Sequence, residues 1–300
     1  MTAIATSYIN PDLDGVACCI AIQALEEPGW IASMLGATDS ETKLVLKTLG
    51  LALPQPITGW TGISAIWLVD THHPKQLPDD FPAEIVRRIT DHHSGGSPGC
   101  FPNADIHNEA VGAAATLLAE RFERQGANIP QSIAVLLQAA IVSNTLQFRA
   151  PATNQRDHRA YEILAGISPI DPWLLEAMGE ARRERLTLST EALLESDLKL
   201  FDTSRGMAAI AQIEAPGALD ILLRDDLRSS LNRLAMSKKA VWALLNIADT
   251  EAGESAVLGT HQNMLRVLAE GLGEPVGEDG VVRCRRLLQR KTDIVPSISK

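Results

Sequence analysis

Asp12 and Asp14 stand two residues apart in Asn10-Pro11-Asp12-Leu13-Asp14-Gly15, Asp70 closes Leu68-Val69-Asp70, and Asp91-His92-His93 forms a third cluster further along. Four carboxylates and two imidazoles therefore fall in three short segments. Carboxylate oxygen and imidazole nitrogen together suit hard or borderline divalent cations. Two such ions held close together are a device for attacking phosphorus. The chemistry these residue types imply is metal-assisted cleavage of a phosphate bond.

Each cluster has its own logic. Pro11 and Gly15 stiffen and turn the first loop, and the spacing lets each Asp reach a different ion; the same pattern also suits a turn with a helix N-cap. Asp70 follows the apolar run Ala65-Ile66-Trp67-Leu68-Val69. Burying a charge is costly unless it is paired or metal-bound, so Asp70 suits a carboxylate bridging two cations. His72 and His73 follow as supporting groups or plain loop residues. Of the adjacent His92 and His93, one can ligate a metal while the other faces substrate. Ser94-Gly95-Gly96 comes next, and glycine backbone can approach an anion closely.

The elements that must position these groups read as alternating strands and helices. Short apolar strands are expected at 3–9, 30–35, 63–69 and 85–90, with helices at 16–25, 40–49, 109–124, 131–144, 155–165 and 172–187. Apolar runs alternating with helices point to parallel strands buried on both faces. Ligands collect beyond the carboxyl ends of such strands, which is where the acidic clusters sit. After the charged stretch Glu180–Arg185 the pattern changes. Strands are expected at 198–202 and 207–214 around a turn at 203–206, then a long helix at 218–238. Strands at 240–248 and 256–259, a helix at 264–272 and a last strand region from 281 complete the chain. The fold class is α/β: an N-terminal domain with a mostly parallel sheet flanked by helices, and a smaller mixed α/β C-terminal domain.

The chain has 300 residues, enough for two cores, with 45% hydrophobic residues and a formal net charge of −10. An acidic chain lacks the basic face that long nucleic acid requires, although a local basic pocket can hold a small anion. The four cysteines, Cys18, Cys19, Cys100 and Cys284, form no C-x-x-C pair and are expected as free thiols. No basic leader precedes an apolar core at the N-terminus, and no run approaches the roughly 20 apolar residues of a membrane span. A cytoplasmic protein without a membrane or long nucleic acid as partner is the expectation.

The order Asn-Pro-Asp-x-Asp, then Val-Asp, then Asp-His-His resembles the DHH phosphoesterase superfamily. The resemblance is closest to manganese-dependent (family II) inorganic pyrophosphatases and their exopolyphosphatase and prune relatives. Glu109–Thr116 is similar to the segment after the Asp-His-His motif, Ile141–Thr153 to the fourth motif, and Gln289–Pro296 to the pyrophosphatase ending. The resemblance implies a metal-binding domain at 1–187 and a substrate-binding domain at 192–300, with the active site in the cleft between them.

It also implies a hydrolase of phosphoanhydride bonds in pyrophosphate or short polyphosphate, working with two Mn2+ ions, Mg2+ or Co2+ being alternatives. Asp12, Asp14, Asp70 and His92 would be metal ligands, with Asp70 and His93 catalytic. His93, Lys199, Arg290 and Lys291 would contact a small phosphorylated anion, and a homodimer is a further expectation. Two positions depart from the pattern. Tyr8 stands where the family has a ligating histidine, and Asn144, able to offer a neutral oxygen, where it has an aspartate. Asp70-Thr71-His72-His73-Pro74 is similar to a motif of superfamily phosphodiesterases, so cleavage of short oligonucleotides or dinucleotides is the alternative activity. A catalytically weak nucleotide- or partner-binding sensor is the alternative from another class.

Overall fold

The computed structural model describes residues 2–26, 29–94 and 96–298, with the side chain of Lys291 outside that set. The four apolar runs become β1 (Thr2–Thr6), β2 (Trp30–Met34), β4 (Ile63–Val69) and β5 (Val86–Asp91), and two short polar strands join them, β3 (Gln55–Pro56) and β6 (Asp105–Asn108). They form one sheet in the order β3-β2-β1-β4-β5-β6, with every pairing parallel. Neighbouring side chains alternate between two cores, as the period of a strand dictates. Ala5, Trp67 and Val69 enter one, and Ile4, Ile66 and Leu68 the other.

The first core is closed by α1 (Leu13–Leu25), α2 (Ser40–Thr48), α3 (Ala114–Gln125), α4 (Gln131–Asn144), α5 (Gln155–Ile167) and α6 (Pro172–Glu184). Leu13 to Ile22 of α1 and Ile133 to Ser143 of α4 are buried without interruption. Helices apolar all round belong in an interior, and α1 is packed against β2, α3 and α4. The strand order reverses direction at β1: the chain passes to β2 and β3 on one side and returns to β4 on the other. Loops leaving β1 and β4 therefore diverge and open a crevice at their carboxyl ends. The Asn10–Asp14 loop and Asp70 lie there.

The chain divides into two compact units, Met1–Phe148 with Ala152–Met178, and Arg149–Pro151 with Gly179–Lys300. The division falls inside α6, between Met178 and Gly179, ahead of the boundary expected between 187 and 192. The second unit contains α7 (Thr190–Ser196), β7 (Leu198–Thr203), β8 (Gly206–Ala215), α8 (Leu227–Ser237), β9 (Trp242–Asp249), β10 (Glu254–Gly259), α9 (Gln262–Leu272), β11 (Val282–Cys284) and α10 (Val295–Ile298). Its mixed sheet runs β11-β10-β9-β8-β7, with β8 and β9 parallel and the other pairs antiparallel. No helix among the described residues is long and apolar enough to cross a membrane.

Two expectations fail locally, each for a physical reason. The helix expected from Glu109 begins at Ala114, because 109–113 is irregular, ends in extended backbone at Ala113, and binds other parts of the site. The helix expected over 218–238 is a 3-10 turn (Ala218–Leu223) followed by α8. Its break is held by Arg224, which donates to Leu188 O and Leu186 O, and by Asp226, which accepts from Thr190 Oγ1 at 2.8 Å. Strand β6 and helix α7 were not anticipated.

Candidate metal centre

Register brings the acidic clusters together. Thr6 pairs with Leu68 and Val69 with Thr90, so the residues after β1, β4 and within the end of β5 lie side by side. Ser7 Oγ donates to Val69 O at 2.9 Å and Asp70 N to Thr90 O at 2.9 Å, which fixes those ends. Asp70 turns the chain with φ of 57°. That left-handed conformation costs a non-glycine residue about 1–2 kcal/mol, and such strain concentrates at functional sites.

Asp12 caps α1, its Oδ1 accepting from Asp14 N at 3.0 Å and Gly15 N at 3.3 Å. Asp14 is held by the amino end of another helix: Oδ2 accepts from Ala114 N at 2.7 Å and Oδ1 from Ala115 N at 2.9 Å. A helix amino terminus favours a carboxylate there. The small residues of Ala113-Ala114-Ala115 leave room for it. Even so, burial and then the charge of Asp70 push the Asp14 carboxyl well up.

Asp70 is 2% exposed, and its Oδ1 has no hydrogen-bond partner among the described residues. It lies 3.2 Å from His92 Nε2 and 3.7 Å from His93 Nδ1. Burial pushes Asp70 up to about 6, against the pull of His92. Burial alone would lower His92, but the Asp70 carboxylate outweighs it and raises the imidazole to about 9. His92 Nδ1–H donates to Val111 O at 2.8 Å, so Nε2 is the nitrogen turned toward Asp70. One ligand atom each from Asp70, His92 and His93 lies within 4.8 Å of the others.

Asp91 does a different job from the two histidines beside it. It is wholly buried, and its Oδ1 accepts from His92 N at 2.7 Å, His93 N at 3.2 Å and His93 Nδ1–H at 2.8 Å. Its Oδ2 accepts from His72 Nδ1–H. Burial would raise its pKa, but His72 and His93 hold it far below the usual carboxylate range. Of the glycines after the motif, Gly95 lies outside the described residues, and Gly96 packs against the His72 ring.

The two departures are also at the centre. Tyr8 is buried, and its hydroxyl accepts from Asp12 N at 3.3 Å. Burial and then Asp12 push the phenol well above its usual range, so it stays protonated and is a poor ligand. Asn144 ends α4, with Nδ2 donating to Asp14 Oδ2 at 3.2 Å and Gly112 O at 3.0 Å. It presents its NH2 group rather than the neutral oxygen expected of it, because Asp14 Oδ2 and Gly112 O are acceptors; His92 Nε2 lies 3.3 Å from the same Nδ2. Three residues in left-handed backbone follow, Leu146, Gln147 and Phe148.

The donor set fits a divalent cation. An unpartnered buried carboxylate oxygen faces an imidazole nitrogen whose opposite nitrogen is fixed by a carbonyl, as metal-ligating histidines are. Asp12 and Asp14 add two more carboxyl groups to a largely buried cluster whose charge a cation would neutralise. Of the two readings left open for His72, the structure supports the supporting group, on Asp91. Sequence reasoning missed the backbone donors of Ala114 and Ala115.

In the second unit Arg290 is 4% exposed. It donates to Asp197 O at 2.7 Å, Asp197 Oδ1 at 2.6 Å and Ile210 O at 3.1 Å. Burial raises Asp197, but Arg290 and then Lys199 bring it below the ordinary carboxylate range. Two of the expected phosphate contacts thus share one carboxylate. Lys291 falls in the π-helical turn Arg290–Ile294, with its side chain outside the described residues.

The DHH family, N-terminal domain, matches residues 3–141. The chain is 29% identical over 303 residues to a protein of Lactobacillus delbrueckii named as a manganese-dependent inorganic pyrophosphatase, covering 97% of this chain and 96% of that one. A Staphylococcus aureus protein of the same name is 27% identical, with 99% of each chain covered. Among solved structures, a family II inorganic pyrophosphatase of Methanococcus jannaschii superposes with a TM-score of 0.84 at 24% identity, over 99% of this chain and 98% of that one. An exopolyphosphatase-related protein of Bacteroides fragilis gives a TM-score of 0.51 at 14% identity, over 94% and 86%. These two likenesses concern the fold. The segment that matches the DHH family, N-terminal domain, residues 3–141, is the one that carries Asp12, Asp14, Asp70 and Asp91-His92-His93 at the strand ends of the first unit.

Proposed function

We propose that this chain is a manganese-dependent phosphohydrolase that cleaves a phosphoanhydride bond of pyrophosphate or short polyphosphate. One observation carries the reading: Asp70, His92 and His93 converge beside Asp12 and Asp14 at a strand-order reversal. Its support is the similarity, along nearly the whole chain, to proteins named as manganese-dependent inorganic pyrophosphatases.

Asp70 and His92 would hold a divalent cation, with Asp12 and Asp14 completing its neutralisation. When bound, such a cation supplies a water of lowered pKa and a positive charge beside phosphoryl oxygen. His93 is anchored at Nδ1 on Asp91 and would contact a phosphate oxygen through the other edge of its ring. Ala114 and Ala115 keep Asp14 in place through their amides. Lys199, Arg290 and Lys291 are the proposed phosphate contacts of the second unit, since guanidinium and ammonium groups suit phosphate oxygens.

The test is product release from full-length protein reconstituted with Mn2+, across pyrophosphate, tripolyphosphate, long polyphosphate, pApA and a cyclic dinucleotide. Orthophosphate from the short inorganic substrates is expected. Nucleoside monophosphate release with no inorganic activity would establish a phosphodiesterase instead. Fewer than about one bound Mn2+ per chain with no turnover of any substrate would establish a binding protein.

A further inference from the structure

His72 has no part in the chemistry proposed above, yet it is buried beside the centre. The residue is 5% exposed, and its Nδ1–H donates to Asp91 Oδ2. Among the described residues, that is the one hydrogen bond Oδ2 receives. The other oxygen, Oδ1, gathers three donors, two of them from His93. A carboxylate held at one oxygen can still turn about its Cβ–Cγ bond, and the His93 ring would turn with it. Held at both oxygens, it is fixed.

The His72 ring is itself immobilised. Its carbonyl accepts from Ser97 N at 3.1 Å. A Cβ placed on Gly96 would fall 1.7 Å from His72 Nε2, so the 96–97 backbone lies directly on the ring edge. Nε2 therefore faces backbone, and His72 is not a member of the Asp70–His92–His93 group.

We propose that His72 is a positioning residue of the metal centre, acting through Asp91 to fix the ring of His93 and the backbone of His92. Gly96 is required beside it because any side chain there displaces the ring. The inference rests on the centre binding a cation, and groups that orient ligands in this way change metal affinity about 10–100-fold when removed.

The experiment measures the Mn2+ Kd of the full chain from the electron paramagnetic resonance of free Mn2+, with folding followed by circular dichroism. His72→Leu removes the donor and should weaken Mn2+ binding about 10–100-fold. His72→Asn places an amide NH2 near the same point and should stay within about threefold of wild type. Gly96→Ala should weaken binding as His72→Leu does. The double variant with His72→Asn and Gly96→Ala should recover, because the shorter side chain vacates the space. A His72→Leu protein with wild-type Kd overturns the inference, as does a His72→Asn protein as weak as His72→Leu. If His72→Leu does not fold, failure of the double variant to recover over Gly96→Ala overturns it. Absence of Mn2+ binding by the wild type would instead overturn the metal centre itself.

Discussion

Replacing Asn144 by Asp isolates what the cation contributes. Asn144 Nδ2 lies 3.2 Å from Asp14 Oδ2 and 3.0 Å from Gly112 O, donating to both. In Asn144→Asp the same point carries a carboxylate oxygen facing two acceptors, with His92 Nε2 at 3.3 Å as the one neighbour able to donate to it. Two unit charges 3.2 Å apart repel by about 5 kcal/mol at an effective dielectric near 20. Partial protonation and local rearrangement should leave roughly 2–3 kcal/mol of destabilisation in the metal-free protein. At about 2–4 °C per kcal/mol for a unit of this size, its melting temperature should fall by about 5–10 °C. A bound cation cancels the repulsion, so the same free energy returns as affinity. The Kd for Mn2+ should tighten about 30–100-fold, by the rule of about 1.4 kcal/mol per decade. Thermal melts with and without Mn2+, together with isothermal titration, read both quantities on one protein. If the metal-free melting temperature falls while the Kd does not tighten, Asn144 faces Asp14 but not the ion. If neither moves, the placement of Asn144 at the centre is wrong.

Asp70→Ala removes the unpartnered oxygen and should lower kcat at least about a hundredfold, about 3 kcal/mol, whereas Arg290→Ala should act mainly on KM; comparable small kcat losses in both would contradict the assigned roles. Gly112→Ala puts a Cβ 2.6 Å from Thr145 Cγ2 and 2.9 Å from Asp157 Oδ2. It should cost about 1–3 kcal/mol in a urea melt, and an unchanged melt would show that the 109–113 segment yields freely. Burial raises the Glu26 carboxyl, but Arg121, Gln125 and Arg88 outweigh it and hold it below the ordinary range. Its contribution to stability is therefore full above the unfolded value near ~4.3 and lost as pH falls through the lower folded value. Glu26→Gln should flatten that acid limb, and parallel acid curves for the two proteins would refute the assignment.

The parts of the fold that were readable are those where burial leaves a signature in residue type. Ile63–Val69 is apolar apart from Ser64, and wholly so over Ile66–Val69, because that part of β4 is covered on both faces, and its bounds agree with the expected strand. Strand β6 was missed because Asp105-Ile106-His107-Asn108 lies at a sheet edge, where exposure allows polar residues in strand geometry. The start of α3 was missed for another reason. Glu109–Ala113 has helical composition, but its backbone is recruited: Val111 O binds His92, and Gly112 binds Asp157 and Asn144. Propensity gives way where tertiary partners take the backbone groups that a helix would use.

At the site the limit lies between donor types and donor directions. Asp91, His92 and His93 are consecutive, yet one is an internal anchor, one turns Nε2 to Asp70 and one leans on its own neighbour through Nδ1. Adjacency cannot assign these roles, because each depends on what lies opposite: His72 for Asp91 and Val111 O for His92. Backbone donors are harder still, since the amides that hold Asp14 have no side-chain identity to read. Asn144 shows the consequence. Position alone makes it a neutral oxygen ligand, but two acceptors on its inner side turn the amide and make it a donor. The charge removed by that asparagine is therefore accompanied by a hydrogen bond that ties down Asp14. The chain keeps this carboxylate oriented where a second negative group would have repelled it, and that is why restoring the charge should destabilise the metal-free protein and strengthen its hold on the ion.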